Sequence, residues 1–502
     1  MTMNNLVDQH VLVLGLGQSG LALARWCARC GAQVTVVDTR AEPPQLEALR
    51  ASVPMARFVH GEMSAALLNE TLFARVVKSP GLSPASVDGV MAAAVARGLV
   101  VGNELSLFAQ ALSDLKESHS YNPQVIGITG TNGKTTVTSL AGQLVQRAGK
   151  TVAVAGNIGP TLLDTLTEKL GTDNLPEVWV LELSSFQLDG IKNFEPTAAT
   201  VLNITQDHLD WHDTIKAYAT AKNNVYGTGG LMLLNRNDPV VMAAAPVQIK
   251  GKPLRSYITY GHDEPQRPGD YGIENVNGMS WLVRASELDE TIKRKRGDKN
   301  ENIELYIQRL MPVDALRIHG LHNAVNALAA LALAHAAGCG LGPMLYGLRE
   351  YRGEPHRVES VAIINGVEYF DDSKGTNVGA TVAALSGLGA ARKLVLVLGG
   401  VGKDQDFSPL ATPVSRYARA VILIGRDAPL IKTALAECAV TVLDASSMQE
   451  AVSLATAQAQ SGDAVLMSPA CASFDMFDNY EHRARVFCEA VQALAVDAGV
   501  VL

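Results

Sequence analysis

One stretch of this chain has the residue types that hold phosphates. Glycines let backbone N–H groups crowd an anion, a following lysine supplies a cation, and a threonine hydroxyl can bind Mg²⁺. An apolar run at 125–128 precedes the stretch and a helix-like segment at 137–148 follows it, which predicts a strand, a loop and a helix. Ile128 stands where the strict P-loop pattern has its first glycine, so a glycine-rich turn with a chance lysine is the alternative. Because Lys and Thr follow the second glycine in the expected order, we predict ATP or GTP binding by Gly130, Thr131, Asn132, Gly133, Lys134, Thr135 and Thr136.

Acids and histidines follow two other predicted strands. Glu182 lies in an otherwise apolar strand, where a carboxylate is costly to bury unless it is paired or bound to a metal. An acid on a strand beside a phosphate loop typically holds Mg²⁺, so a metal ligand is favoured over a structural ion pair. For the acids and histidines at 207–212, which include His208, loop capping explains the pattern as well as metal binding does. From the residues alone, Lys222 is an ordinary surface lysine.

A second glycine-rich loop, Gly15-Leu-Gly17-Gln-Ser-Gly20, follows the first predicted strand and opens the first helix. Asp38 ends the next strand, where an acid could meet a ribose. The pattern is the Rossmann fingerprint, and NAD(P) or FAD is its usual ligand. Another nucleotide whose diphosphate lies over the same helix, or glycines that serve only packing, would also explain it.

The elements that position these residues alternate as strand, glycine turn and helix, which predicts an α/β protein with parallel sheets. We predict three domains: an N-terminal Rossmann-like nucleotide-binding unit at 1–117, a central P-loop-type ATPase domain at 118–353, and a C-terminal Rossmann-like α/β domain at 354–502. Polar stretches at 113–123 and 351–355 are predicted linkers.

The stretch from 261 to 302 is polar and predicted to be irregular. Its basic run at 293–296 could touch nucleic acid, but a solvated loop or hairpin of an insertion is favoured in an acidic chain.

Composition excludes several classes of protein. The 502 residues are 47% hydrophobic and 18% charged, which predicts a globular chain of several domains. A net charge of −8 argues against general nucleic-acid binding, although a local basic pocket can still hold a small anion. No signal peptide and no membrane-spanning run are recognisable, so we expect a cytoplasmic protein without membrane insertion.

Taken together, the motifs resemble those of the Mur ligase family. The segments that carry the resemblance lie at 128–135, 156–159, 181–188, 203–210, 320–327, 355–357, 371–377, 398–407 and 468–475, and they cover nearly the whole chain. Within the family, the forms Asp-Ser-Lys-Gly-Thr-Asn and Ser-Pro-Ala-Cys-Ala-Ser are similar to those of the D-glutamate-adding members. The N-terminal glycine loop is shared with L-alanine-adding members, which are the alternative, but their His-His-Pro segment is missing.

The resemblance implies an ATP-dependent ligase of peptidoglycan precursor synthesis. ATP would phosphorylate the carboxylate of UDP-N-acetylmuramoyl-L-alanine, and the amine of D-glutamate would displace phosphate from the acyl phosphate to form an amide. A carboxylate is a poor acyl donor until it gains such a leaving group, and the crowded anions need Mg²⁺ and cations to offset their repulsion. The family also implies two Mg²⁺ ions, a carbamylated lysine and a monomer.

Carried over position by position, the resemblance implies a role for each site residue. Catalytic residues would be Lys134, Glu182, His208 and Lys222; metal ligands would be Thr135, Glu182, His208 and Lys222 as its carbamate. ATP would also contact Asn323, Asn326, Arg357 and Asp372. The UDP-linked substrate would contact Gln18, Ser19, Asp38, Thr39, Arg40, Gly81 and Asn157, and D-glutamate would contact Lys374, Thr376, Lys403, Ser473 and Tyr480.

Two positions depart from the family pattern. Val401 stands where an aspartate is common, beside Lys403, and Tyr480 stands where phenylalanine is familiar. Two other functions remain alternatives: a nicotinamide or flavin oxidoreductase, motivated by the Gly15 loop, and a P-loop motor or nucleic-acid factor, motivated by the phosphate loop and the basic run. The first leaves the phosphate loop and Glu182 unexplained, and the acidic balance opposes the second.

Overall fold

The protein consists of three α/β units, each built on its own largely parallel sheet, as predicted. A computed structural model describes residues 5–249, 252–288, 304–318, 320–390 and 392–500, without the side chains of Glu70, Asp210, Ile249 and Lys252. The basic run at 293–296 lies outside the described residues, as does the whole stretch 289–303 around it.

The first unit is a five-stranded parallel sheet in the order β3-β2-β1-β4-β5, the doubly wound arrangement of a Rossmann-like unit. Its strands are β1 His10–Leu14, β2 Gln33–Asp38, β3 Arg57–His60, β4 Arg75–Lys78 and β5 Val100–Asn103. Its helices are α1 Gln18–Arg29, α2 Leu46–Ser52, α3 Leu67–Glu70, α4 Pro84–Ala96 and α5 Glu104–His119.

The second unit combines a six-stranded parallel sheet, in the order β13-β10-β9-β6-β8-β7, with an antiparallel three-stranded sheet, β14-β15-β16, and a two-stranded pair, β11-β12. Its strands are β6 Gln124–Thr129, β7 Val152–Gly156, β8 Val178–Glu182, β9 Ala198–Val201, β10 Leu231–Asn235, β11 Gln248–Ile249, β12 Lys252–Pro253, β13 Tyr257–Tyr260, β14 Tyr271–Val276, β15 Met279–Glu287 and β16 Leu305–Pro312. Its helices are α6 Lys134–Arg147, α7 Leu162–Gly171, α8 Ser185–Leu188, α9 Leu209–His212, α10 Ile215–Asn223, α11 Pro239–Met242, α12 Leu321–Ala336 and α13 Leu341–Glu350.

The third unit is a six-stranded sheet in the order β17-β18-β22-β19-β20-β21, in which only β17 runs antiparallel to its neighbour. Its strands are β17 Glu359–Ile364, β18 Val367–Asp371, β19 Leu394–Gly399, β20 Ala418–Ile424, β21 Thr441–Asp444 and β22 Ala464–Met467. Its helices are α14 Val378–Gly389, α15 Ala411–Tyr417, α16 Ala428–Ala434, α17 Met448–Gln458 and α18 Tyr480–Asp497.

Central strands explain why the sheets are covered on both faces. β8 and β19 are buried along their whole length, and β19 reads Leu-Val-Leu-Val-Leu-Gly. A continuous apolar strand has no solvent face, so helices must pack on both sides of the sheet. The alanine-rich helix α12, nine of whose residues are buried, packs against α6 in this way.

Two sequence predictions were wrong. The stretch 113–123 is not mainly a linker, because α5 continues to His119 and ends at Ser120, whose φ of 55° is left-handed. Leu107, Ala111 and Leu115 are buried at helical spacing, and the polar residues between them masked this face in the sequence. The stretch from 261 is not irregular either, since β14 and β15 form an antiparallel hairpin there.

The predicted boundary at 117/118 falls in the last turn of α5, and the one at 353/354 falls in the connection between α13 and β17. The boundaries stay predictions. Within the described ranges, no helix combines the length and apolar composition that a membrane span requires.

Candidate functional site

Residues of all three units line one cleft at the carboxyl ends of the parallel strands, where α/β sheets place their ligands. The cleft has a volume of about 650 Å³. Its lining includes many of the predicted site residues: Gln18, Thr131, Asn132, Gly133, Lys134, Thr135, Asn157, Glu182, His208, Arg357, Lys374, Thr376 and Tyr480. Sequence positions that lie more than 450 residues apart thus meet at one surface.

The phosphate loop leads directly from β6 into α6. Gly133 has a φ of 84°, and a Cβ there would lie 2.9 Å from Oδ1 of Asn326. A Cβ at Gly130, whose φ is 153°, would lie 2.9 Å from Cβ of Leu202. Both positions therefore require glycine, and the first-turn N–H groups of α6 are left to face an anion.

Lys134 folds back over this loop. Its Nζ donates hydrogen bonds to the carbonyl oxygens of Gly130, at 2.9 Å, and Thr131, at 2.8 Å. Burial lowers the pKa of Lys134, while the nearby carboxylates of Glu182 and Asp207 oppose that shift. A phosphate bound in the loop would offer this ammonium group stronger, charged acceptors.

Glu182 ends β8 beside the loop and is 1% exposed. One carboxylate oxygen, Oε1, accepts a hydrogen bond from Nδ2 of Asn157 at 2.8 Å. The other, Oε2, is buried and has no hydrogen-bond partner among the described residues. A buried oxygen without a partner is costly, and a divalent cation would satisfy it, so the residues fit the predicted Mg²⁺ site.

Lys222 is not a surface lysine, because it is 1% exposed on the inner face of α10. Its Nζ donates to the carbonyl oxygen of Gly130 at 2.9 Å and lies 4.6 Å from the centroid of the Tyr218 ring. Burial and the charge of Lys134 hold the pKa of Lys222 well below its usual value. The side chain therefore loses its proton readily, and the neutral amine is the form that can react with CO₂.

His208 lies at the start of α9 with a left-handed φ of 54°. Its Nε2 is 3.6 Å from Oδ2 of Asp207, and its ring packs against the edge of Phe186 at a centroid distance of 4.8 Å. Burial lowers the pKa of His208, and the positive charges of Lys403 and Lys134 add to this, against the opposing effect of Asp207. The imidazole is thus favoured in its neutral form, which can coordinate a metal.

The cleft continues into a smaller cavity of about 200 Å³ between the second and third units. Asn323, Asn326, Thr136 and Asp372 line it, together with the apolar side of α14. Burial raises the pKa of Asp372 to about 7, although Ser468 donates a 2.6 Å hydrogen bond to its carboxyl group. The cavity begins at Gly133 of the phosphate loop, so the base of a nucleotide whose phosphates bind the loop would lie in this cavity.

Two hydrogen-bonded contacts join the third unit to the phosphate loop. Nη2 of Arg357 donates to Oγ1 of Thr135 at 2.8 Å. The side-chain amides of Asn132 and Asn377 bond each other in both directions, at 3.1 and 3.3 Å. The third unit is therefore docked on the loop, and the cleft is closed from that side.

The predicted D-glutamate residues belong to the third unit but do not all line the cleft. Nζ of Lys374 lies 3.6 Å from the centroid of the Tyr480 ring, and burial lowers the pKa of Lys374 to about 8. Ser473 is buried just beyond Ala472, which forms an antiparallel bridge with Val401. Lys403, with a left-handed φ of 52°, follows this bridge and is close enough to His208 to affect its pKa.

The predicted residues for the UDP-linked substrate lie around the first glycine loop. Asp38 accepts hydrogen bonds from the backbone N–H of Leu16, at 2.7 Å, and from the guanidinium of Arg40, at 2.8 Å. The bond from Arg40 is the main reason that the pKa of Asp38 is lowered to about 2. Ser19 is the second residue of α1, and Thr39 and Gly81 are exposed after β2 and β4.

Several residues of the site were missed or undervalued in the sequence. Asn203 lies beyond the end of β9, and its side chain bonds both the N–H and the carbonyl oxygen of Asn132, at 2.8 and 3.0 Å. Asn377 and Tyr218, described above, were also missed as partners of the loop and of Lys222. The spacing of Tyr218 and Lys222, four residues apart on one helix face, was a usable signal.

Family models match three regions of the chain. The Mur ligase middle domain matches residues 128–334, and the model described as Mur ligase, glutamate ligase domain matches 356–471. The Mur ligase MurD-like N-terminal domain matches residues 9–102.

Curated relatives match over nearly the full length. The UDP-N-acetylmuramoylalanine–D-glutamate ligase of Albidiferax ferrireducens is 65% identical over 99% of this chain and 98% of its own. The ligase of the same name from Ralstonia nicotianae is 56% identical over 99% of both chains.

Solved structures show the same fold at low sequence identity. The MurF ligase of Thermotoga maritima in complex with ADP has a TM-score of 0.57 at 15% identity, covering 98% of this chain and 97% of its own. The UDP-N-acetylmuramate–alanine ligase of the same organism has a TM-score of 0.54 at 18% identity, covering 97% and 100%.

Proposed function

This chain belongs to the Mur ligase family, and we propose that it uses ATP to join D-glutamate to UDP-N-acetylmuramoyl-L-alanine in peptidoglycan precursor synthesis. The observation that carries the proposal is the closed cleft, which brings together the phosphate loop, Lys374 of the third unit and a buried oxygen of Glu182 that has no hydrogen-bond partner among the described residues. The names and full-length identity of the curated relatives support the choice of D-glutamate over L-alanine.

The reaction takes place in two steps. The substrate carboxylate attacks the γ-phosphorus of ATP, which forms an acyl phosphate and releases ADP. The amine nitrogen of D-glutamate then attacks the acyl carbon; phosphate leaves with the C–O electron pair, and the nitrogen loses a proton as the amide forms. Both steps crowd negative charge, so positioning and cationic groups account for most of the acceleration.

The phosphate loop binds and orients ATP in this proposal. The N–H groups that Gly130 and Gly133 expose would cradle the phosphates, and Lys134 would exchange its carbonyl acceptors for phosphate oxygens. Asn323, Asn326 and Asp372 would hold the nucleoside in the adjoining cavity. Arg357 reaches the loop from the third unit, so it can add its charge only when the units are closed.

Two Mg²⁺ ions are proposed, held by Thr135 and Glu182 at one position and by His208 and Lys222, as its carbamate, at the other. Bound Mg²⁺ would neutralise phosphate charge and make the γ-phosphorus more electrophilic. Carbamylation of Lys222 needs only CO₂ and the neutral amine: a C–N bond forms and one proton is released. It converts an amine into a carboxylate-like anion: burial of Lys222 favours the neutral amine that reacts, and the charge of bound Mg²⁺ would offset the cost of burying the carbamate.

For D-glutamate, Lys374 would pair with a carboxylate while Tyr480 covers the lysine. Thr376, Lys403 and Ser473 complete the proposed pocket. The valine at 401 leaves the loop in place, because the backbone of Val401 pairs with that of Ala472 through N–H to O distances of 2.8 and 2.9 Å.

At the other end of the cleft, the pair of Asp38 and Arg40 would bind the uridine diphosphate together with Gln18, Ser19, Thr39 and Gly81. Asn157 would face the acyl end of this substrate. The monomeric state and the cytoplasmic location stay predictions.

The test is phosphate release from ATP with UDP-N-acetylmuramoyl-L-alanine, with D-glutamate, L-alanine or neither. We expect release that depends on D-glutamate, with formation of an amide that mass spectrometry detects. Release that is indifferent to D-glutamate, or that responds to L-alanine instead, would overturn the proposal.

A further inference from the structure

Glu104 is a buried carboxyl group between the first and second units. It is 1% exposed and opens helix α5, directly after the Asn103 side chain that caps the helix. A carboxylate favours a helix N-terminus, but burial this deep is costly unless other groups bind it. Its partners therefore show what it holds together.

One partner comes from the second unit. The backbone N–H of Leu163 donates to Oε1 of Glu104 at 3.1 Å. Leu163 lies in the first turn of α7, where N–H groups have no acceptor within the helix. Glu104 thus caps a helix of the neighbouring unit. Beside it, Nδ2 of Asn103 donates to the carbonyl oxygen of Gln187 at 2.8 Å, a second bond between the units.

The other partner comes from the first glycine loop. The Ser19 side chain lies close enough to the Glu104 carboxyl group to stabilise its charged form, as the Leu163 backbone does. Burial outweighs both effects and raises the pKa of Glu104 to about 7, and the nearby charge of Asp164 raises it further. Asp164 is itself paired with Arg25 of α1 at 3.7 Å, so charged groups on α1 and α7 surround the contact.

The two partners belong to opposite ends of the cleft. Ser19 lies where the diphosphate of the UDP-linked substrate would bind. Helix α7 follows the loop that carries Asn157, whose side chain orients Glu182. The distance between the Ser19 turn and Asn157 therefore determines whether the acyl end of the UDP-linked substrate reaches the γ-phosphate of ATP.

Resting on the proposed function, we propose that Glu104 is a positioning residue for the UDP-linked substrate, because its carboxyl group binds the start of α7 in the second unit to the first unit, which carries the Ser19 turn. The site is distinct from the reacting atoms, since Glu104 touches neither the phosphate loop nor the third unit in any described contact. Loss of the link should therefore weaken binding of the UDP-linked substrate and leave binding of ATP alone.

The test compares Glu104→Ala with Glu104→Gln, whose amide oxygen can still accept from the backbone N–H of Leu163. We expect Glu104→Ala to raise KM for UDP-N-acetylmuramoyl-L-alanine about tenfold, because substrate binding must then also hold the two units together, with KM for ATP unchanged. Glu104→Gln should restore KM to within about threefold of wild type. Glu117→Ala, at an exposed position of the same helix, is the matched control. Calorimetric titration of the UDP-linked substrate without ATP should show the same ratios.

Thermal melting shows whether each variant is folded, and so separates a positioning role of Glu104 from a contribution to stability alone. If Glu104→Ala does not fold, Glu104→Asp replaces it, because the shorter side chain keeps the charge but withdraws it from Leu163. An unchanged KM for the UDP-linked substrate in folded Glu104→Ala or Glu104→Asp would overturn the inference, as would an equal rise in both KM values. Failure of the proposed function is a different result, since wild type itself would then release no D-glutamate-dependent phosphate.

Discussion

The guanidinium of Arg357 donates a 2.8 Å hydrogen bond to the hydroxyl of Thr135, 222 residues earlier in the chain. Thr135 is the second residue of the helix that opens at the phosphate loop, and Arg357 belongs to the third unit. The hydroxyl proposed as a Mg²⁺ ligand is thus in contact with the cation proposed to bind ATP. The two proposed roles are compatible if Arg357 turns from the hydroxyl to phosphate oxygens when ATP binds.

We predict that Arg357→Ala lowers kcat/KM for ATP by about 10- to 100-fold, because a charge-assisted contact to a buried anion contributes about 1.5–3 kcal/mol. The comparison is Arg352→Ala, an exposed arginine of the preceding connection. Steady-state kinetics at saturating D-glutamate give the ratio. Equal kinetics for the two variants would remove Arg357 from the ATP site.

The same contact bears on domain closure. Together with the paired amides of Asn132 and Asn377, it makes the third unit part of the phosphate site, so the active state should be closed. We expect X-ray scattering of the wild type to show compaction when a non-hydrolysable ATP analogue and the UDP-linked substrate bind, and a smaller change for Asn377→Ala. Identical radii of gyration with and without ligands would contradict this.

For Lys134, replacement by alanine should lower ATP turnover by about 10²- to 10³-fold, the loss typical of one preorganised charged donor. The carbonyl group of Thr131 would lose its bond from Lys134, whereas that of Gly130 would keep its bond from Lys222. Lys192→Ala, an exposed lysine of the same unit, controls for the change in net charge. Retained turnover in the Lys134 variant would refute the phosphate-loop assignment.

Carbamylation of Lys222 can be tested by chemical rescue. Lys222→Ala should be nearly inactive and should recover in part with acetate or formate, whose oxygens replace those of the carbamate. Lys216→Ala, an exposed lysine of the same helix, should keep wild-type activity and show no response to carboxylates. A fully active Lys222→Ala would mean that this lysine only fills space beside Tyr218.

The parallel sheets and both glycine loops could be predicted from the sequence because they depend on local patterns. β8, β22 and α1 are short runs whose apolar residues and glycines lie next to one another in the chain. The helix through 113–119 was missed because its buried face, every fourth residue, is diluted by serines and acids. The polar composition of 113–119 favours a linker, whereas the spacing of the apolar residues along the helix favours a helix. Packing of those apolar residues stabilises the helix.

The candidate site residues were assigned largely by resemblance, and their surroundings could not be predicted. Burial of Lys222 depends on which face of α10 meets the phosphate loop, which is a tertiary property. The Glu182 oxygen that has no hydrogen-bond partner among the described residues depends on packing within the second unit, and the bond between Thr135 and Arg357 depends on how separate units dock; no local pattern encodes either. Glu104 shows the same limit: at the start of a helix it reads as an ordinary N-terminal acid.

The pH dependence of D-glutamate use should report on Lys374. Burial lowers the pKa of this lysine to about 8, so its ammonium is charged below that pH and loses its proton as the pH rises through it. A carboxylate bound beside Lys374 favours the charged form and raises its pKa in the complex. The loss should therefore appear in KM rather than in kcat: KM for D-glutamate should rise above about pH 8, approaching tenfold per pH unit.

Lys374→Arg is the matched comparison for this profile, because a guanidinium keeps its charge over the whole range. The amine of D-glutamate also titrates in alkaline solution, but it does so equally with both enzymes, so the ratio of their KM values isolates the lysine. We expect the ratio of the wild-type KM to the Lys374→Arg KM to be constant below about pH 7 and to rise above about pH 8. A ratio that stays constant across the range would mean that Lys374 does not pair with a carboxylate of D-glutamate.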